Sequence, residues 1–217
     1  MRKKKLVVIG KNSSIFKDLK NETEFFKHCT ELSHTDDFSV CENSYVVIFS
    51  VDKKKFAPND WMLDRIKSVN PYFVILISSM SVIVAQKGFN YKYPRIKHRQ
   101  EIKCRDLFGE RLCVMRLGSY YSSKNKKIRS PDLKTGLEDF YLALKKVLDT
   151  PEPNNMSLIN LFIREHAITT PLKLYLGVLI FLGPLSVFLR PLDIIIKLCT
   201  NKTYGYSLLS FEFAKDY

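Results

Sequence analysis

The sequence predicts an α/β protein in which a doubly wound parallel β-sheet is followed by a small, mostly helical apolar lobe. Short apolar and β-branched runs alternate with segments of helical spacing from residue 6 to about residue 148. Such alternation requires crossover connections, which make the strands parallel and cover both faces of the sheet with helices. The lobe is predicted from a change of character after residue 155, where long apolar stretches begin.

The predicted strands and helices follow one another in a regular order. Apolar runs that end at glycine, serine or other turn residues predict strands over residues 6–9, 25–34, 45–50, 72–77 and 112–117. Apolar residues at intervals of three and four predict helices over residues 15–20, 59–69, 93–108, 133–148 and 157–166. Ligands of such folds bind at the carboxyl ends of the strands, so candidate site residues are sought there.

Charge and composition limit the partners and the location of this 217-residue chain. Its 35 Lys and Arg residues exceed its 22 Asp and Glu residues by 13, which favours anionic partners such as phosphates, nucleotides or an anionic membrane surface. A generally lysine-rich composition is the alternative explanation. No nucleic-acid recognition motif is visible, so nucleic acid is not an expected partner. The five cysteines and four histidines show no metal-ligand spacing, which predicts reduced thiols, no metal and a cytoplasmic location.

A turn-rich segment at residues 151–155 predicts a boundary between a domain of residues 1–150 and a lobe of residues 151–217. In the lobe, residues 174–189 form an uncharged, mostly apolar run. This run is shorter than the roughly 20 residues that span a bilayer, and a Gly-Pro pair at positions 183 and 184 interrupts it. Two interpretations remain open: helices buried within the lobe, or contact of residues 171–199 with a partner protein or the inner face of a membrane.

A tyrosine and a lysine four residues apart form the most informative motif. Tyr93 and Lys97 share one face of the predicted helix 93–108, and a serine pair, Ser78 and Ser79, ends the preceding strand. An ammonium group beside a phenol favours the phenolate, so we expect Lys97 to lower the pKa of Tyr93 from its ordinary value of about 10. A second pair with this spacing begins at Tyr141, but that residue occupies an apolar-spaced position in mid-helix, which favours a packing role.

The turn after the first predicted strand is a candidate phosphate-binding turn. Gly10, Asn12, Ser13 and Ser14 lie between this strand and the next predicted helix, where backbone N–H groups can bind an anion. An ordinary strand-to-helix connection is the alternative interpretation. Two acidic residues, at positions 36 and 37, follow the second predicted strand, and they could bind a ribose or simply be solvated loop residues.

The order of these motifs resembles the extended branch of the short-chain dehydrogenase/reductase superfamily, the NAD-dependent sugar epimerase/dehydratase group. The resemblance covers roughly residues 4–148 and implies a Rossmann-like fold. It rests on a glycine-containing first turn, then on a serine-ending strand with a Tyr-x-x-x-Lys-x-x-x-Glu helix, then on a strand ending in Arg-x-Gly. Here these motifs comprise Gly10, Ser79, Tyr93, Lys97, Glu101, Arg116, Gly118 and the following Tyr120.

The resemblance implies an NAD(P)-dependent epimerase or oxidoreductase that acts on a sugar nucleotide or a polyprenyl-linked sugar in surface polysaccharide biosynthesis. Tyr93 would be the acid/base residue, Ser79 would bind the reacting oxygen, and Lys97 would tune Tyr93 and hold the nicotinamide ribose of NAD or NADP. The first turn departs from the family pattern, since Ser13 and Phe16 replace the second and third glycines. These departures favour the alternative: a catalytically degenerate scaffold protein that docks on a membrane or a partner enzyme.

Overall fold

A computed structural model describes residues 5–49, 52, 55–121, 132–150, 158–165, 170–183, 185, 188, 191 and 205–217. Its main sheet has six strands, which are β1 (Leu6–Ile9), β2 (Thr30–Leu32), β3 (Tyr45–Ile48), β4 (Phe73–Ser79), β5 (Leu112–Leu117) and β8 (Leu158–Leu161). They lie in the order β2-β1-β3-β4-β5-β8. The pairs β1–β2, β1–β3 and β3–β4 are parallel, as the alternating sequence pattern predicted.

Helices follow most of these strands in the chain. They are α1 (Ser14–Glu22), α2 (Ala57–Ser68), α3 (Val82–Gln86), α4 (Lys92–Phe108), α5 (Leu137–Asp149), α6 (Thr170–Leu182) and α7 (Gly205–Phe213). The fold is therefore the predicted Rossmann-like α/β fold, with a six-stranded sheet and crossover helices. No helix in the described part of the chain is both long and apolar enough to cross a membrane.

The structure corrects three of the predicted elements. The predicted strand 25–34 is a 3₁₀ helix at Glu24–His28 followed by the short β2. The predicted helix 133–148 begins as a strand, β7 (Asp132–Gly136), and the predicted helix 157–166 forms β8 and a further strand, β9 (Ile163–Glu165).

Non-local pairing is the physical reason for the last two corrections. β7 pairs in parallel with β6 (Ser119–Tyr121) and antiparallel with β9, in a second, three-stranded sheet. Such pairing overrides a weak local preference for helix, and Gly136, a poor helix former, separates β7 from α5.

The described chain divides into two compact units, each built from three chain segments. The first unit comprises Met1–Ser78, Arg99–Arg116 and Leu137–Ile159, and the second comprises Ser79–His98, Leu117–Gly136 and Asn160–Tyr217. The boundary predicted at residues 151–155 lies outside the described residues, so the division into residues 1–150 and 151–217 stays a prediction.

Each unit has its own apolar core. In the first unit, side chains from β1, β3 and β4 pack with those of α2 and α4, and the core includes Val7, Ile48, Leu63, Leu76 and Phe108. In the second unit, α3, α6 and α7 contribute most of the core, which includes Ile83, Leu133, Leu176, Leu179 and Leu208. Burial of such side chains is the main stabilising term, at about 1.5–3 kcal/mol each.

Candidate active site

The predicted serine and tyrosine of the site lie together in the second unit. Ser79 is the last residue of β4, and Tyr93 lies in the first turn of α4, where Pro94 is tolerated because its missing N–H would have no helical partner. The Ser79 hydroxyl is hydrogen-bonded to the Tyr93 phenol. Ser81 donates to the Ser79 oxygen from its own hydroxyl at 3.1 Å and from its backbone N–H at 3.2 Å. Ser79 is thus fixed by a local network.

Burial sets the direction of the pKa shift of Tyr93. Removal from water raises the pKa of the Tyr93 phenol above its ordinary value of 10.0, and the hydrogen bond to Ser79 opposes this rise without cancelling it. The expected lowering of this pKa by Lys97 is therefore wrong for this structure, because desolvation outweighs the stabilisation of the phenolate. At neutral pH, Tyr93 is a neutral phenol that can donate a proton.

Lys97 lies one helical turn after Tyr93 on α4, as the sequence spacing predicted. Its side chain is only 4% exposed. Lysine is among the residues least often buried, because removing an ammonium group from water is costly. A buried lysine one helical turn from a buried tyrosine is therefore a candidate for a functional site.

Glu101 and Arg116, two further motif residues, bind each other in the first unit. The Arg116 guanidinium donates to both carboxylate oxygens of Glu101, at 3.0 Å from Nε and 2.7 Å from the terminal nitrogen. Both side chains are about 1% exposed. A bidentate, buried ion pair of this kind ties α4 to β5 and fixes the direction of both. These two residues thus have a structural role.

Gly118 is required by close backbone packing in the second unit. A Cβ atom at this position would lie 2.4 Å from the carbonyl oxygen of Leu133, a distance that no side chain could occupy. Its N–H donates to the Thr135 hydroxyl at 2.8 Å. Tyr120 lies in β6, the strand that follows. The Arg-x-Gly motif therefore fixes the β5–β6 connection.

The first turn, the candidate phosphate-binding turn, has a tight backbone and leads into an uncapped helix. Gly10 has a φ of 107°, which a residue with a side chain rarely adopts, and its carbonyl accepts from the Ser13 N–H at 2.8 Å. Ser13 is the N-cap of α1, but its side chain makes no capping hydrogen bond, and the first turn contains no acidic residue. Asn12 and Ser14 are exposed. The first N–H groups of α1 have no helical acceptors and can bind an anion.

Phe16 lies where the resembled family has its third glycine, and it is a core residue here. Its side chain is fully buried and packs edge-on against Phe26, with ring centroids 6.2 Å apart, and against Phe49 at 5.6 Å. Phe49 in turn contacts Phe140 of α5 at 6.1 Å. The bulky residue is accommodated by an aromatic cluster of four rings, which stabilises the first unit.

The two aspartates after β2 take part in local hydrogen bonds. Asp36 accepts from the Ser33 N–H at 2.9 Å and the Ser33 hydroxyl at 2.7 Å, and it pairs with Lys11 at 3.2 Å. The bonds to Ser33 and then the one to Lys11 lower the pKa of Asp36 from 3.8 to about 2. Asp37 accepts from Ser39. Both therefore stabilise the loop, and Asp36 links it to the first turn.

The hydroxyl of Ser78 is the clearest orphaned polar group in the described residues. Ser78 precedes Ser79 in β4 and is 5% exposed, and its oxygen is buried with no hydrogen-bond partner. A buried hydroxyl without a partner typically costs about 1–3 kcal/mol. Such a group at the carboxyl end of a strand fits a position where a bound molecule supplies the missing partner. Together with the uncapped α1 N-terminus, it fits a dinucleotide cofactor.

Tyr206 is a candidate site residue that the sequence analysis missed. It lies in α7, and its ring contacts the ring of Tyr93 at 6.2 Å between centroids and that of Tyr91 at 5.8 Å. The only sequence signal is its aromatic character, since the contact depends on the packing of α7 against residues more than 100 positions earlier. Tyr206 helps to bury Tyr93.

The described metal-ligating side chains are dispersed, and Cys41 and Cys113 are deeply buried. They contain no group of three His, Cys, Asp or Glu side chains that could hold a metal ion. The described cysteines are free thiols, and burial raises the pKa of both Cys41 and Cys113 to about 12. A thiol of such high pKa is a poor nucleophile at neutral pH.

Comparisons with known proteins show similarity in structure and not in sequence. No protein-family model and no curated protein sequence matches the chain. A UDP-glucuronic acid 4-epimerase from Bacillus cereus, solved with NAD and a fluorinated UDP-sugar, has a TM-score of 0.56 at 13% identity, over 80% of this chain and 83% of its own.

Two other solved structures are also similar in fold. The capsular polysaccharide assembling protein CapF from Staphylococcus aureus has a TM-score of 0.53 at 15% identity, over 95% of this chain and 65% of its own. A wide-type short-chain dehydrogenase/reductase from Veillonella parvula, solved with NADP, has a TM-score of 0.51 at 12% identity, over 72% of this chain and 93% of its own. These similarities confirm that the chain has the Rossmann-like fold of short-chain dehydrogenases/reductases and sugar-nucleotide epimerases.

Proposed function

We propose that the protein is an NAD(P)-dependent sugar epimerase or oxidoreductase, with Ser79, Tyr93 and Lys97 as its catalytic residues. The observation that carries the proposal is the hydrogen-bonded pair of Ser79 and Tyr93, with the buried Lys97 one helical turn along α4. A neutral phenol can give its proton to a carbonyl oxygen, and a fixed hydroxyl can hold that oxygen by a hydrogen bond. The reverse reaction needs the phenolate, which a positive charge on Lys97 would stabilise.

Each of the three residues has a distinct proposed role. Tyr93 exchanges a proton with the reacting oxygen of the sugar, and Ser79, held by Ser81, donates a hydrogen bond that positions that oxygen. Lys97 supplies a positive charge that stabilises the phenolate when Tyr93 has given up its proton. A bound nicotinamide cofactor would supply the hydride chemistry of the reaction. Proton transfer by a positioned side chain typically contributes about 10²–10⁴-fold in rate.

The proposed cofactor site combines the first turn with Lys97. The turn of Gly10, Asn12, Ser13 and Ser14 would hold the diphosphate with the N–H groups at the start of α1. Lys97 would hold the nicotinamide ribose, as the resemblance implies. NAD and NADP are both compatible with this proposal. The two carboxylates that could bind a ribose, those of Asp36 and Asp37, accept hydrogen bonds from serines of their own loop.

The net charge of the chain and the similar structures support a class of substrate. A net charge of +13 favours an anionic substrate, and the similar structures include a UDP-glucuronic acid 4-epimerase and a capsular polysaccharide assembling protein. We therefore propose a sugar nucleotide, with a polyprenyl-linked sugar as the second choice, in surface polysaccharide biosynthesis.

A titration with cofactor tests the first step of this proposal. The full chain is titrated with NAD⁺, NADH, NADP⁺ and NADPH by calorimetry, alone and in the presence of UDP-glucuronic acid. We expect binding of at least one cofactor in the micromolar to millimolar range. Absence of binding of all four at millimolar concentration would contradict the enzymatic proposal.

The variant Ser14→Asp locates the binding at the first turn. An acidic residue in the first turn of a helix stabilises the helix by about 0.3–1 kcal/mol, but it repels a diphosphate at the same position. We therefore expect weaker cofactor binding without loss of thermal stability. Ser68→Asp is the control, since it adds the same charge at the exposed end of α2. Equal loss of affinity in both variants would contradict binding at the turn.

A catalytically degenerate scaffold protein is the second candidate function. The burial of Phe16 in an aromatic cluster supports it, because the position of a glycine in the family's turn is here used for packing. A scaffold would bind a partner enzyme or a membrane and would need neither the Tyr93 phenol nor the cofactor. Turnover that depends on Tyr93 would exclude this candidate.

A further inference from the structure

Helix α6 exposes a stripe of large apolar side chains in the second unit. Leu174, Val178 and Phe181 follow one another at intervals of four and three residues, so they share one face of the helix. Leu174 is 74% exposed and Phe181 is 89% exposed. Just beyond the helix, Leu185 and Phe188 are also exposed, at 61% and 77%. We call these five residues the α6 stripe.

The other face of α6 is already used for packing. Leu172, Leu176 and Leu179 are buried in the core of the second unit, where α6 contacts α7. The helix is therefore anchored by one apolar face. Leu174, Val178 and Phe181 of the α6 stripe form a second apolar face, which is exposed. Single exposed apolar residues are common, but a continuous row of this size marks an interaction surface.

Charge around the stripe indicates which surface it meets. Residues 174–189 contain no charged residue, and the nearest charges in the sequence on the two sides are Lys173 and Arg190, both cationic. Lys173 is itself exposed. Apolar residues flanked by cations are typical of segments that lie in the interface of an anionic bilayer, with the cations at the headgroups. The net charge of +13 adds to this attraction.

We propose that the α6 stripe is a membrane-docking surface that inserts into the outer part of an anionic lipid bilayer. The 13 residues of α6 are too few to cross a bilayer, so the helix lies along the surface. Docking is independent of the cofactor and of Tyr93. Failure of the enzymatic proposal would therefore leave this proposal intact.

Vesicle flotation with the full chain tests the proposal. The protein is mixed with vesicles of phosphatidylcholine alone or of phosphatidylcholine with phosphatidylglycerol, and the bound fraction is measured at low and high salt. We expect binding to the anionic vesicles, weaker binding to the neutral ones, and a decrease with salt. The double variant Leu174→Ser/Phe181→Ser removes apolar contact without changing charge, and we expect it to weaken binding by about ten-fold or more.

The control is Leu142→Ser, which removes an exposed apolar residue of α5 in the first unit, and we expect it to bind as the unsubstituted protein does. Circular dichroism should give unchanged melting for all variants, because the altered side chains are exposed. Absence of vesicle binding, or equal binding by the double variant, would overturn the proposal. A dimer in solution that the double variant converts to a monomer, without vesicle binding, would also overturn it in favour of a second copy as the occupant.

Discussion

The two regions that carry the resemblance, the first turn and the Ser79–Lys97 segment, match the family pattern to different extents. The segment keeps the serine, tyrosine and lysine of the family pattern, and Ser79 and Tyr93 are hydrogen-bonded to each other. The turn keeps Gly10, whose φ of 107° requires it, but has Phe16 in its aromatic core. In the turn, therefore, the backbone at Gly10 matches the family pattern, whereas Phe16 is a packing residue.

This difference separates two requirements of a cofactor-dependent enzyme. Acid/base chemistry needs particular functional groups at particular positions, and these are present in the second unit. Diphosphate binding needs backbone N–H groups and room for the ligand. The N–H groups of α1 are free of capping side chains, while the room depends on how Phe16 is packed. The proposed acid/base residues can be tested by removing the Tyr93 hydroxyl, and the turn can be tested by removing the Phe16 ring.

Tyr93→Phe should have the largest effect on turnover, because it removes the proton that the proposed mechanism exchanges with the substrate. With a sugar-nucleotide substrate, we expect kcat to fall by about 10²–10⁴-fold, with cofactor affinity changed by much less. Stopped-flow measurement of hydride transfer at saturating cofactor checks this. Tyr141→Phe is the matched control, since Tyr141 and Lys145 have the same spacing on α5 and should be dispensable.

Equal activity of the two tyrosine variants would contradict the assignment of Tyr93. Turnover that survives in Tyr93→Phe but falls in Ser79→Ala would instead move the acid/base role to another group near Ser79. Each outcome sharpens the comparison, because it tests whether the Ser79–Lys97 segment, which matches the family pattern more fully, is also needed for turnover.

Phe16→Ala should have a large effect on stability and tests the adapted region. Phe16 is fully buried and contacts two other rings, so we expect the free energy of unfolding to fall by about 3–5 kcal/mol. Urea denaturation followed by fluorescence measures it. Phe25→Ala is the control, because Phe25 is only partly buried and contacts Phe26. A loss below about 1 kcal/mol in Phe16→Ala would contradict its role as a core residue.

The fold was largely predictable because its signals are local. β1 and β5 have the predicted bounds, and α4 begins one residue earlier than predicted. Buried parallel strands read as continuous apolar runs, and glycine or serine marks their ends. The spacing of Tyr93 and Lys97 on one face of α4 follows from helix geometry alone.

What the sequence could not predict depends on non-local contacts. Residues 158–165 form strands only because β8 joins the main sheet and β9 pairs with β7. The direction of the Tyr93 pKa shift was missed because burial is a tertiary property. Tyr206 was missed for the same reason, since α7 reaches Tyr93 from the end of the chain.

Tyr206→Ala should have a moderate effect, and it tests what raises the pKa of the Tyr93 phenol. Burial is the first cause of the raised pKa of Tyr93, and Tyr206 contributes a ring to that burial. Removing the ring admits water, so we expect the pKa of Tyr93 to move back towards its ordinary value. Ultraviolet difference titration, with Tyr93→Phe subtracted in both backgrounds, measures this pKa. An unchanged pKa would show that other groups bury the phenol.

Asp36→Asn should have the smallest effect, and it tests the loop beside the first turn. The pKa of Asp36 lies at about 2 in the folded protein against an ordinary 3.8, so its ionised form stabilises the fold above about pH 4. This contribution is lost as the pH falls through about 2, because the carboxyl group is then protonated in both states. The bond to Lys11 is partly exposed, at 41% and 33% for the two side chains, so the effect is expected to be well below that of Phe16→Ala. Urea midpoints should therefore differ slightly between the two proteins at pH 7 and converge as the pH approaches 2. A difference that grows on acidification would show that Asp36 does not stabilise the loop in its ionised form.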